Sequence, residues 1–246
     1  MRVLVAVFFI LTAVSRTSAE GDRPLASSNS FLPSVAVYTS VLKDTFHCMS
    51  EAGIKVVFVR VYEPRNGGQV DRDGVQNAHT IYYMTDELYF EYFFHPAPRS
   101  SKTGAQQFHE AFDYMQAQAP LLSMYCASPI DWSASTYTNT NPSTIAVGIY
   151  TNWYDWEQIT GSTSALSSNV LLWYWYVCSA FVDSALRNTN GFGNKSESSP
   201  DFDDFFPFGN FRSAAAKTYG IGETMCSGTP VHRNIYWRSW LDGRES

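Results

Sequence analysis

Residues 54–62 read Ile-Lys-Val-Val-Phe-Val-Arg-Val-Tyr, a run in which almost every position is β-branched or aromatic. Such a strand offers water no polar face, so it predicts burial on both sides, as in a parallel sheet covered by helices. Just upstream, Asp44 is a suitable helix N-cap, Phe46, Met49 and Ala52 fall on one helical face, and Gly53 stops the helix. Residues 34–39 (SVAVYT) predict a strand before that helix. Residues 88–95, 121–126 and 144–150 predict strands after it. Thr103 caps a further helix whose Phe108, Ala111, Phe112 and Met115 keep the i, i+3, i+4, i+7 rhythm. Residues 170–177, 215–219 and 231–237 are strand-like with no well-formed helix between them, and 188–200 is a Gly/Asn/Ser-rich loop. Strands alternating with helices indicate an α/β sheet or barrel.

The chain has 246 residues, with 45% hydrophobic, 16% aromatic and 16% charged residues and a net charge of −6. This balance fits a globular core and excludes a disordered or coiled-coil chain. The acidic charge excludes a nucleic-acid partner, which needs a basic footprint. Residues 1–19 carry an early arginine, an apolar run from Val3 to Val14 and small residues at Thr17 and Ala19. They predict a secretory signal peptide cleaved after Ala19, too short in its apolar run to anchor the chain in a membrane. A polar leader over 20–33 and one domain over 34–246 follow, and a secreted, extracellular monomer is expected. Cys48, Cys126, Cys178 and Cys226 allow three pairings in an oxidising compartment. Asn194 begins the sequon Asn194-Lys195-Ser196 and predicts glycosylation. No cysteine or histidine spacing predicts a metal site, and no motif calls for a cofactor.

Several segments carry a resemblance. They are Phe46-His47-Cys48, Ala52-Gly53-Ile54-Lys55 running into Val59-Arg60-Val61-Tyr62, Val147-Gly148-Ile149-Tyr150-Thr151 with Trp156, and Leu172-Trp173-Tyr174. Phe205-Phe206-Pro207-Phe208-Gly209, Lys217-Thr218-Tyr219 and the stretch from Cys226 to Asn234 complete the set. In order and spacing, across nearly the whole mature chain, they resemble the nematode branch of the family-25 glycoside hydrolases. These are lysozymes (N-acetylmuramidases) that cut the glycan of bacterial peptidoglycan. The resemblance implies a single irregular (β/α) TIM-like barrel of eight strands with fewer than eight helices, its site at the C-terminal strand ends. It also implies a Cys48–Cys226 disulfide, which leaves Cys126 and Cys178 over.

The family's catalytic motif is missing. Glycoside hydrolysis needs carboxyl groups to protonate the leaving oxygen and to stabilise or attack the oxocarbenium ion. Where the family ends its fourth strand with Asp-x-Glu, this chain has Tyr125-Cys126-Ala127. Ala127 cannot transfer a proton, and Tyr125 is a poor acid at neutral pH. The first-strand acid is matched by Tyr38, the last-strand acid by His232 in Val231-His232-Arg233-Asn234, and Cys178 stands where relatives often carry Asp. The polar stretch 129–144 is short for the long helix that relatives place there. As strand neighbours at i and i+2, Tyr125 and Ala127 are expected to face the mouth, with Cys126 turned away.

Glu91 is the fallback acid, on a strand face shared with Phe93 and His95. Asp155 and Glu157 read as dipole-compensating acids of a helix start, Asp131 as a turn residue, and Asp201, Asp203 and Asp204 as a solvated loop. The resemblance places Tyr62, Tyr150, Trp173 and Tyr219 at sugar-facing or barrel-mouth positions, with Glu91 and His232 completing the expected binding set. The sequence therefore predicts a lysozyme-like protein of innate defence that binds bacterial cell-wall glycan, or another glycan, as a catalytically degenerate muramidase. An active lysozyme with relocated carboxylates is the alternative, and a protein-binding or immunomodulatory pseudoenzyme the second.

Overall fold

The structure, a computed structural model, describes residues 6–10, 30–84, 88–118, 146–162, 166, 170–176 and 196–238. Its strands are β1 (Ala6–Ile10), β2 (Phe31–Val37), β3 (Val56–Glu63), β4 (Gln69–Val70), β5 (Tyr89–Phe94), β6 (Ala146–Thr151), β7 (Leu171–Trp175), β8 (Ser196–Glu197), β9 (Ala216–Met225) and β10 (Thr229–Trp237). The helices are α1 (Lys43–Glu51), α2 (Arg72–Tyr82), α3 (Gly104–Gln118) and α4 (Trp153–Thr160). No described helix is long and apolar enough to cross a membrane.

The strands form one curled, mixed sheet. β2, β3 and β5 make one parallel arc, and β6, β7 and β9 make a second. β10 lies antiparallel to both β2 and β9, and β1 lies antiparallel to both β5 and β6. This corrects the expected TIM-like barrel: the fold is mixed α/β with four described helices, not a closed barrel of parallel βα units. The physical reason is visible between β9 and β10. A parallel strand needs a long crossover, whereas residues 226–228 form a tight turn with Cys226, Ser227 and Gly228 all at positive φ, which returns the chain antiparallel. β1 comes from the apolar run expected to be a leader; its Val, Phe and Ile residues suit a strand as well as an export signal.

The prediction for β3 holds residue by residue. All its positions except Arg60 are buried. Val57, Val59 and Val61 pack on the helical side with Phe46, Met49, Ala78, Phe108 and Phe112. Val56 and Phe58 face the concave side with Leu32, Ala36, Phe93, Trp173 and Tyr236. Two hydrophobic layers thus share one strand, which is why the sequence shows no alternation there.

Helix boundaries follow their caps. At α1 the N-cap is Leu42, with no side-chain cap bond, and Asp44 sits inside the first turn. The expected Asp44 cap is therefore corrected, and its carboxylate instead complements the helix dipole. At α3, Thr103 Oγ1 accepts from Gln106 N at 3.2 Å while Gln106 Oε1 accepts from Thr103 N at 2.7 Å, a reciprocal capping box. α2 carries no strong apolar pattern in the sequence. Its Asp71 caps Gly74 N, and Val75, Ala78 and Ile81 are the buried stripe. Asn77 ties it to the chain after β2, accepting from Val41 N at 3.0 Å and donating to Thr39 O at 2.8 Å.

Cys48 on α1 and Cys226 after β9 form a disulfide across 178 residues of sequence. Cys126 and Cys178 lie outside the described residues. Replacing Cys48 and Cys226 together by serine is expected to lower unfolding free energy by about 4–5 kcal/mol on the loop-entropy model, read from urea unfolding. α2 meets β3 so closely that a Cβ on Gly74 would lie 1.5 Å from the Arg60 carbonyl oxygen. Gly74→Ala is therefore expected to cost about 3 kcal/mol. Gly104→Ala, in open space, should leave the same unfolding curve nearly unmoved.

Candidate functional site

The concave face of the sheet is filled by aromatic rings. Trp173 from β7 stacks on Phe58 of β3 at 4.2 Å between centroids, and meets Phe93 and Tyr150 edge-on at 5.8 and 4.8 Å. Its indole N–H donates to Thr218 Oγ1 at 2.9 Å and lies 3.3 Å from Asn234 Oδ1, which also accepts from Thr218 at 2.5 Å. A buried indole keeps its N–H only with such a partner, so β7, β9 and β10 are bonded through one side chain. Tyr236 donates its hydroxyl to Glu91 Oε1 at 3.1 Å, and Glu91 is completely buried. Glu91 sits two residues before Phe93 on the same strand face, inside the packed layer rather than at its surface.

The rim of this face, at the C-terminal ends of β2, β3 and β5, is polar. Tyr38 and His232 are in ring contact, 5.0 Å between centroids. Gly222 N donates to His232 Nδ1 at 3.2 Å, and burial lowers the His232 pKa against the raising effect of a hydrogen bond to the Val231 backbone. Arg60 is the hub. Its Nη2 donates to Tyr38 O at 3.0 Å and to Glu63 Oε2 at 3.1 Å, and its Nε donates to Asp71 Oδ2 at 2.7 Å.

Glu63 and Asp71 thus converge on one guanidinium. Glu63 also accepts from Arg65 Nε at 2.7 Å and Gln69 Nε2 at 2.6 Å, while Asp71 Oδ1 accepts from Gly74 N at 3.3 Å. Burial alone would raise Glu63, but the bonds from Arg65 and Gln69 and the charges of Arg60 and Arg65 outweigh it and hold its carboxyl below the ordinary value. Burial dominates at Asp71, whose carboxyl is raised against the lowering effect of Arg60. Each of the four carboxylate oxygens already accepts a hydrogen bond.

The structure sorts the expected binding residues by face. Tyr150, Trp173, Glu91 and His232 belong to the concave face and its rim. Tyr62 faces the helices instead: it stacks on Phe94 at 4.7 Å and donates to Glu110 Oε2 at 2.9 Å. Tyr219 is half-buried at an irregularity of β9 where Thr218 pairs Asn234 and Gly220 pairs Arg233. Tyr125, Ala127, Asp131 and Asn194 lie outside the described residues. The acidic loop is tied from within: buried Lys217 Nζ donates to Asp204 Oδ2 at 2.7 Å and to the carbonyls of Ser199 and Asp201 at 2.9 and 2.8 Å. Asp155 falls in the first turn of α4, its N–H donating to the Asn152 cap at 2.8 Å.

Sequence reasoning missed Arg60, Glu63 and Asp71. A signal existed: a lone arginine inside an otherwise apolar strand demands a partner, and the acids at 63 and 71 flank a turn that brings them back to it.

The fold is thus a mixed α/β sheet with a packed aromatic interior and a polar rim at its strand ends. The comparisons give the family. The model described as lysozyme-like protein 1 matches residues 27–219. Lysozyme-like protein 1 of Caenorhabditis elegans is 32% identical over 223 residues, covering 85% of this chain and 69% of the relative. Lysozyme-like protein 7 of the same organism is 31% identical over 223 residues, 84% of this chain and 72% of the relative. The chain belongs to this lysozyme-like family.

His95 reports on the rim. Burial, with a further push from the charge of Arg60 and against the pull of Glu63, lowers its pKa to about 4. The unfolded histidine keeps a pKa near 6.5, so between about pH 6.5 and pH 4 the unfolded state binds the proton and the folded state does not. Its contribution is fully present above about pH 6.5 and is lost as pH falls towards 4. Wild type should lose about 1–2 kcal/mol more than His95→Gln between pH 7 and 4, discounting for partial exposure. Urea midpoints at the two pH values measure the difference.

Proposed function

We propose that this is a secreted lysozyme-like protein of innate defence, related to the family-25 glycoside hydrolases, that binds cell-wall glycan without appreciable hydrolysis. The observation that carries the reading is the occupancy of the rim. Tyr38 and His232 meet where the resemblance expects first-strand and last-strand acids, and the two carboxylates that do converge, Glu63 and Asp71, are held by Arg60, Arg65, Gln69 and the Gly74 amide. A carboxylate locked in ion pairs has no proton to give a leaving oxygen. The Tyr125 and Ala127 replacements in the sequence point the same way. The apolar run that supplies β1 also carries the export signal, and the Cys48–Cys226 bridge suits an oxidising route. The partner is bacterial cell-wall glycan, met by a monomer at the rim of the concave face, with Asn194 glycosylated.

A second reading keeps turnover and gives it to Glu63 and Asp71. Their environments push their carboxyl groups in opposite directions, the pattern that separates an acid from a base. Release from Arg60 on substrate binding is what this reading requires. Glu91, the sequence fallback, stays behind Phe93 with a tyrosine hydroxyl on its carboxylate.

Purified, insoluble bacterial cell walls separate the readings. Wild-type protein is expected to co-sediment with the walls and to leave their turbidity unchanged. Tyr125→Asp with Ala127→Glu should restore little activity, because Tyr38 and His232 remain. Clearing by wild type that disappears in Glu63→Gln, Asp71→Asn or Glu91→Gln would overturn the degenerate-enzyme reading. Failure to co-sediment would move the function to a protein partner.

A further inference from the structure

Beside the rim, on the outer side of β4 and between the start of α2 and α3, lies a cavity of about 580 Å³. That volume falls within the range of sites for small organic ligands. It shares Glu63 and Asp71 with the rim, and its other walls are residues that the glycan reading does not use for glycan contact. Its walls carry both signs of charge, and most of that charge is already paired. Lys102 Nζ is bound to Glu110 Oε2 at 2.7 Å and to Gly68 O at 2.9 Å.

The charge left over is what identifies a ligand. Arg65, with its side chain 73% exposed, uses only Nε on Glu63, and its two terminal nitrogens bond to nothing among the described residues. Arg72 has no carboxylate partner among the described residues; its guanidinium rests 5.6 Å from the centroid of the Tyr114 ring. A guanidinium laid on an aromatic face keeps its outward edge in a fixed plane, suited to a bidentate carboxylate. On the acidic side, Asp73 accepts no hydrogen bond among the described residues, and Glu110 keeps Oε1 unused because Tyr62 and Lys102 both bind its Oε2. Free donors and free acceptors therefore face one cavity. A simple anion would meet Asp73 and Glu110, and a simple cation would meet two guanidinium groups.

We propose that this cavity binds a short zwitterionic peptide, a carboxylate on Arg65 and Arg72 and an amine on Asp73 and Glu110. Resting on the glycan reading above, its natural source is the peptide stem that cell-wall glycan carries, so the chain holds glycan and stem at adjacent places.

The test is calorimetric titration of the full-length protein with two probes. One is the synthetic tetrapeptide L-Ala-D-Glu-L-Lys-D-Ala; the other is a peptide-free chitooligosaccharide. The tetrapeptide is expected to bind, several-fold more weakly when salt rises from about 0.05 to 0.5 M. Arg72→Gln should weaken it about tenfold, Asp73→Asn several-fold, and acetylation of the peptide's amines to a similar extent. Both substitutions are on exposed positions, and an unchanged thermal melt confirms folding. Oligosaccharide binding should be the same in wild type and both variants. Absence of tetrapeptide binding, or equal affinity in Arg72→Gln and wild type, overturns the proposal whatever the oligosaccharide does. Tetrapeptide binding without oligosaccharide binding leaves the cavity assignment standing and removes the glycan reading instead.

Discussion

Arg60 is the side chain on which the upper end of the sheet depends. It lies at the C-terminal end of the most buried strand, and its guanidinium holds the β2 exit through Tyr38 O, the β3 exit through Glu63 and the start of α2 through Asp71. A cation placed there is tolerable only because each charge it faces is opposite and each bond is short; breaking such a pair typically costs about 3–5 kcal/mol. The arrangement draws α2 so tightly onto β3 that a glycine is required at 74. It also fixes the rim, since Glu63 and Asp71 cannot both serve Arg60 and face a ligand.

Below that rim the sheet is held by packing rather than by charge. Trp173 contacts Phe58, Phe93 and Tyr150 and bonds to Thr218, so one indole links both parallel arcs of the sheet to one another. Glu91 and Tyr236 form the polar contact within this layer. A carboxylate buried among rings needs that hydroxyl, and the need fixes its position better than any catalytic role does. The retained aromatics therefore act first as core.

β3, α3 and β7 were legible because burial on one or two faces leaves a compositional mark that neighbours do not alter. α2 was passed over because its apolar stripe is thin and its surface polar; only packing against β3 makes it a helix of consequence. β10 was recognised as a strand, but its direction was not, because direction depends on the length of the connection and not on the strand itself. Tyr62 was assigned to the mouth by resemblance, and the bulge between Arg60 and Tyr62 turns its ring to the helical side instead.

By itself the sequence determined the family, the two-sided burial of residues 56–63 and the disulfide partners implied by that family. These are properties of residue type and order, which local chemistry preserves whatever the fold does around them. Tertiary structure alone decided that Arg60 gathers Glu63 and Asp71, that Tyr38 meets His232, and that Arg65, Arg72, Asp73 and Glu110 share one cavity. Electrostatic pairing depends on distance and burial, and residues dozens of positions apart acquire both only when the sheet curls and α2 closes upon it.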